Sequence, residues 1–109
     1  MINLYGISTC DVTKKALKAL ERAGRAVNFR DIRANPLSAA EIDRLVAEFG
    51  DRLINRQSTT WRSFNDFLRA SDAEAQIAAQ PTVMKRPVIE ADGVYYLGWE
   101  PQTEADLTT

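Results

Sequence analysis

Apolar and polar residues alternate at the start of the chain, change to a helical period, and then alternate again. In residues 1–5, MINLY, Ile2 and Leu4 flank Asn3 with the period of a short strand. Residues 6–9 read as a loop. From about Asp11, Val12, Ala16, Ala19, Leu20 and Ala23 recur at the spacing of one helix face, and Gly24 reads as the left-handed residue that closes it. Residues 26–31, AVNFRD, alternate once more and make a second strand. Strand, helix and strand in that order favour a right-handed βαβ unit.

A different pattern follows. Ser38 and Glu41 form a capping box, Leu37 can staple to Ile42, and Ile42, Leu45, Val46 and Phe49 line one helix face that Gly50 ends. The stretch STTWRSFNDFL offers Trp61, Phe64, Phe67 and Leu68 to one face of a short helix. Ser71 and Glu74 read as a second capping box, opening a helix that must stop near Pro81. Residues of about 35–80 are thus expected to be a helical insertion without a strand. Val88–Ala91 and Val94–Leu97 are β-rich, and the Asp92-Gly93 pair between them is the preferred type I′ hairpin turn. Residues 101–109 can carry a last helical turn. The expected architecture is α/β: one domain over 1–109, a four-stranded mixed sheet (βαβ…ββα) with helices packed on it.

Composition narrows the chemistry. The 109 residues suffice for a core without disulfide or metal staples. Fourteen basic and fifteen acidic residues balance to −1, which gives no general attraction to nucleic acid or membrane. The opening MINLYG has no basic segment leading into an apolar stretch, so a cytoplasmic protein is expected. The chain has one cysteine and no histidine. An internal disulfide, a Cys-rich zinc site and a Cys–His pair are therefore excluded, and no metal site is expected. Chemistry must come from cysteine, arginine, lysine, carboxylates or backbone N–H groups.

Cys10 falls where the first strand gives way to the first helix. Unpaired N–H groups and the positive helix end favour a thiolate there. Three of the four lysines, Lys14, Lys15 and Lys18, follow within two turns. Cations near a helix N-terminus oppose its dipole by roughly 0.3–1 kcal/mol each, so their presence suggests an anion beside them. A free thiol of pKa about 8.5 is only a few per cent ionised at neutral pH, so such help would decide its reactivity. The alternative is an inert small residue beside a solvated lysine face.

Two arginine clusters add to this. Pro87 can open the third strand, its X-Pro bond is a candidate cis peptide, and Arg86 before it can place a fork of donors near the sulfur. An exposed arginine ahead of an edge strand fits the same residues. In NRQSTTWR, Arg56 and Arg62 flank three hydroxyls. These are either an anion site or helix-capping residues around a core Trp61.

LYGISTCDVTKKA, LINRQSTTWR and MKRPVIEADG, in this order, resemble the ArsC/Spx family and most closely its YffB-like branch. The resemblance implies a thioredoxin-like fold with an inserted helical subdomain. It also implies that Pro87 is a cis-proline facing the active cysteine, that Cys10 is the nucleophile, and that Arg56 and Arg86 act on a substrate anion or the sulfur. Lys14, Lys15, Arg62, Pro87, Ser8 and Thr9 would then form the substrate or glutathione surface. Two departures matter. The segment YYLGWEPQ lacks the third arginine of the glutathione-coupled arsenate reductases, and Thr13 stands where Spx regulators usually carry the second cysteine of Cys-x-x-Cys. The expected function is a glutathione-dependent thiol–disulfide reductase with no bound cofactor. Glutathione would be its co-substrate and glutaredoxin a possible partner. An arsenate reductase is one alternative, and an Spx-like regulator docking on RNA polymerase is another.

Overall fold

The computed structural model describes all 109 residues, Met1–Thr109. The chain forms two compact units, one of Met1–Asn35 with Arg86–Thr109, the other of Pro36–Lys85.

The first unit holds the sheet. Its strands are β1 (Ile2–Gly6), β2 (Val27–Asp31), β3 (Val88–Ala91) and β4 (Val94–Leu97), in the spatial order β2-β1-β3-β4. β1 runs parallel to β2 and antiparallel to β3, and β3 pairs antiparallel with β4. Helix α1 (Asp11–Arg22) makes the crossover between the parallel strands. Ala16 and Leu20 from α1 meet Ile2, Leu4, Ile89 and Ala91 from the sheet, and Leu107 joins them from the C-terminal helix Pro101–Thr108. These apolar positions alternate with polar ones, so the sheet's other face carries Asn28, Asn3 and Glu90 side by side. The Asn3 amide donates to Glu90 Oε1 at 2.7 Å, and the Asn28 amide donates to Asn3 Oδ1 at 3.1 Å. Asp92 and Gly93 both have positive φ, as a type I′ turn requires.

The second unit is helical. It contains α2 (Ala39–Phe49), α3 (Thr59–Ser63), α4 (Asp66–Arg69) and α5 (Ala73–Ala79), with 3-10 turns at Gly50–Leu53 and Pro81–Val83. The C-terminal helix of the first unit is α6. Both halves of the Ser38–Glu41 capping box are present. One isolated bridge, Ile54 to Met84, is the only β pairing in this unit.

Two local expectations change. The single helix expected over STTWRSFNDFL is two short ones. Phe64 is extended, with φ −67° and ψ 141°, and the Asn65 side chain accepts from Leu68 N–H, opening α4 afresh. Phe64 is buried, whereas Phe67 is 82% exposed. The cap of α5 is Asp72, not Ser71. The Asp72 carboxylate accepts from Ala75 N–H at 2.9 Å, while the Ser71 hydroxyl donates back to the Phe67 carbonyl. A carboxylate at a helix start also gains from the dipole, which favours it over a neutral hydroxyl.

Gln76 shows how these short helices are closed. It is 4% exposed, and its Nε2 donates to the carbonyls of Leu68, Arg69 and Ser71 where α4 ends. Gln76→Leu keeps the volume and strands those carbonyls. Urea unfolding should show a loss of about 1–3 kcal/mol, and an unchanged midpoint would refute this role for Gln76.

Candidate active site

Residues 7–10 carry the chain from the end of β1 into α1, and Cys10 is the N-cap residue. It is half-buried, and its N–H donates to the Ile7 carbonyl at 2.9 Å. Four groups act on its sulfur in the ionised form: the Thr13 hydroxyl, the Thr13 N–H, the Arg86 side chain and the Val12 N–H. Partial burial pushes the thiol pKa up, but these donors outweigh it and leave the pKa below the ordinary thiol value. Thr13 is 1% exposed, and its hydroxyl has no hydrogen-bond partner in the structure. The ionised Cys10 sulfur is the acceptor that this hydroxyl can serve, and it helps to lower the thiol pKa.

Thr13 can lie so deep because residue 6 is glycine. A Cβ at Gly6 would stand 2.5 Å from both Cγ2 and Oγ1 of Thr13. The first turn of α1 therefore packs directly on the backbone of β1. Arg86 reaches the sulfur from the other side of the sequence, joined to Pro87 by a cis peptide bond. Pro87 is buried, and its carbonyl accepts from Gly98 N–H at 2.8 Å.

Asp31, at the end of β2, ties the cysteine loop to the sheet. Its Oδ2 accepts from Ser8 N–H at 2.9 Å, and its Oδ1 accepts from the N–H groups of Arg33 and Ala34 at 2.9 and 3.2 Å. The bond from Ser8 N–H is the leading reason that the Asp31 pKa falls to about 2. From the same turn, Arg33 Nη2 donates to Thr9 Oγ1 at 3.3 Å. Sequence reasoning singled out neither Asp31 nor Arg33. The only signal for them was an acidic residue closing a strand predicted to lie parallel to the one before Cys10.

The structure thus gathers Cys10, Ser8, Thr9, Thr13, Arg86 and Pro87 at one end of the sheet of the first unit. Lys14 and Lys15 lie with Lys18, Arg22 and Asp11 along a shallow, open concavity on α1. Arg56 and Arg62 belong to the second unit. Both are exposed there, and the Arg56 guanidinium sits 5.4 Å from the Trp61 ring centroid. No group of three or more His, Cys, Asp or Glu side chains converges as a metal site. No helix is long and apolar enough to cross a membrane.

Thr13→Val removes the hydroxyl while keeping the shape. It should raise the Cys10 pKa and slow iodoacetamide alkylation at neutral pH by roughly three- to tenfold. An unchanged pH–rate profile would exclude Thr13 as a thiolate donor. For Asp31, the folded pKa of about 2 lies below its unfolded value of about 3.9. Its contribution to stability is complete above the unfolded value and disappears as pH falls from about 4 to about 2. Acid titration of wild type should therefore be steeper in that window than titration of Asp31→Asn, and equal slopes would contradict this.

The site has counterparts. The ArsC family profile matches residues 5–106. A solved YffB protein superposes with a TM-score of 0.91 at 34% identity, covering 100% of both chains. An arsenate reductase (ArsC) related protein from Brucella melitensis gives 0.75 at 37% identity, over 95% of this chain and 92% of that one. The global transcriptional regulator Spx 2 of Oceanobacillus iheyensis is 27% identical over 90% of this chain and 76% of its own. The mixed sheet, with α1 crossing over between its parallel strands, is thioredoxin-like, as a glutaredoxin from Archaeoglobus fulgidus with a TM-score of 0.50 also indicates. With Cys10 at the entrance of α1, a cis-proline before β3 and a helical insertion between β2 and β3, this chain belongs to the ArsC family.

Proposed function

We propose that this protein is a cytoplasmic oxidoreductase, a glutathione-dependent thiol–disulfide reductase that works through Cys10 alone. The observation that supports this reading is a lone cysteine at a helix entrance whose thiol pKa is lowered by Thr13 and Arg86, beside a buried Thr13 hydroxyl that has no other partner. A donor replaces the second thiol of a Cys-x-x-Cys pair, so the sulfur is activated but has no internal resolving partner.

The chemistry then follows in two exchanges. The Cys10 thiolate attacks the glutathione sulfur of a mixed disulfide, and the substrate leaves as a thiolate that takes up a proton. This gives a Cys10–glutathione disulfide. A second glutathione thiolate attacks the glutathione sulfur of that bond. Cys10 leaves as the thiolate, and oxidised glutathione is released. Each turnover consumes one free glutathione: the substrate thiol is released, and the disulfide passes to a pair made of that glutathione and the one from the mixed disulfide. A low thiol pKa helps both as nucleophile and as leaving group. In this scheme Arg86 and the Thr13 donors hold the Cys10 charge, Pro87 and the Ser8–Thr9 loop border the incoming thiol, and Lys14 and Lys15 are cations of the same unit for its carboxylates. Glutaredoxin is the protein that would take the place of the second glutathione.

The likeness to Spx 2 supports a second reading, a regulator that docks on RNA polymerase without turnover. Arsenate reduction, suggested by the name of the Brucella melitensis relative, is the third. One assay series separates them. Wild type should reduce a peptide–glutathione mixed disulfide with glutathione as reductant, and Cys10→Ser should fall to background, a loss of at least about a hundredfold. Turnover of arsenate but not of the mixed disulfide would favour the reductase of that oxyanion. No turnover of either, with polymerase subunits recovered in a pull-down, would replace the enzyme by the regulator.

A further inference from the structure

Arg33 has no part in the scheme above, yet its guanidinium is the cation placed on the loop that carries Cys10. Its Nη2 donates to Thr9 Oγ1, one residue before the cysteine, at 3.3 Å. It forms no ion pair, and its side chain is exposed. A guanidinium has five N–H donors in a planar fork, so most of this one's capacity faces solvent.

Its position is not that of a free surface arginine. The Arg33 N–H and the Ser8 N–H are bonded to the two oxygens of one carboxylate, Asp31. The backbone that carries the cation and the backbone that carries Cys10 are therefore clamped to a common point. Such an arrangement lowers the ordering cost of holding a ligand that touches both, which is the usual benefit of a preorganised site. The chemistry that fits a planar fork is a carboxylate, gripped through two parallel N–H···O bonds.

We propose that Arg33 is a specificity-determining residue that binds a carboxylate of the thiol engaging Cys10, so that the site selects carboxylate-bearing thiols over neutral ones. The choice of a thiol as ligand rests on the reductase reading; the carboxylate preference rests on Arg33 and its anchoring. Thr9, the residue before Cys10, accepts from the guanidinium, and Ser8 shares its carboxylate anchor, so the ligand must span from that contact to the sulfur.

The first test does not need turnover. Iodoacetate and iodoacetamide both alkylate the Cys10 thiolate, forming a C–S bond and releasing iodide, but only iodoacetate carries a carboxylate. Arg33→Gln should lower the iodoacetate rate at least threefold and leave the iodoacetamide rate within twofold, and Arg33→Lys should recover part of the loss. Arg22→Gln removes the same unit of charge at the far end of α1, about 18 Å along the helix, and should leave the ratio unchanged. If Arg33→Gln leaves the ratio intact, or Arg22→Gln lowers it equally, the assignment is wrong. The second test uses the reaction. Arg33→Gln should raise the KM for glutathione several-fold while leaving that for 2-mercaptoethanol unchanged, and an equal effect on both would also overturn the proposal. A wild-type protein that shows the alkylation preference yet turns over neither thiol would overturn the reductase reading while Arg33 kept its assignment.

Discussion

The end of the sheet that carries Cys10 depends on how closely the first turn of α1 packs on the end of β1. Gly6 has no Cβ, so Thr13 sits directly on the strand backbone, and the helix start is brought down onto the sheet. That contact fixes where the Thr13 hydroxyl and the N–H groups of Val12 and Thr13 point, and so where a charge on Cys10 is best held. Any larger residue at position 6 would lift the turn by several tenths of an ångström or more, and hydrogen bonds to a thiolate weaken over such distances. The packing of two small residues thus precedes the electrostatics of the sulfur in the chain of cause.

A second constraint comes from the neighbouring strand. Because β2 runs parallel to β1, both strands end at the same edge of the sheet, and Asp31 emerges beside the cysteine loop. One carboxylate can then bond a turn of its own, at Arg33 and Ala34, and the Ser8 N–H of the loop opposite. The βαβ connection therefore supplies the site as well as the fold. It brings together at one point residues that lie more than twenty positions apart in the chain.

Much of this was legible in the residues. The alternation of MINLY and AVNFRD and the Asp92-Gly93 turn each have a local cause, and each element stands where that cause put it. Helix α1 is in place too, but Val12 and Ala23 are exposed and Thr13 takes a buried position with Ala16, Ala19 and Leu20. The Ser38–Glu41 box is equally local. The errors arose where two local solutions compete. At residues 71–72 either side chain can cap α5, and the carboxylate does so while the hydroxyl turns back to α4. Across Trp61–Leu68 the apolar spacing suits one helix or two, and the Asn65 side chain decides for two. Asp31 and Arg33 were missed for another reason. Their role exists only through the register of β1 with β2, and no window of sequence contains both partners.

The polar ladder on the open face of the sheet bears on the same register. Asn3 uses its oxygen toward β2 and its nitrogen toward β3, so one side chain reads both neighbours at once. Sliding either neighbour by one residue would face Asn3 with the wrong partner and turn that strand's own apolar residues, Val27 and Phe29 or Ile89 and Ala91, away from the core. A side chain at the quiet end of β1 therefore acts as an alignment pin. The distance from that pin to the cysteine is counted in whole residues, and the sheet has no intermediate setting at which the sulfur could come to rest.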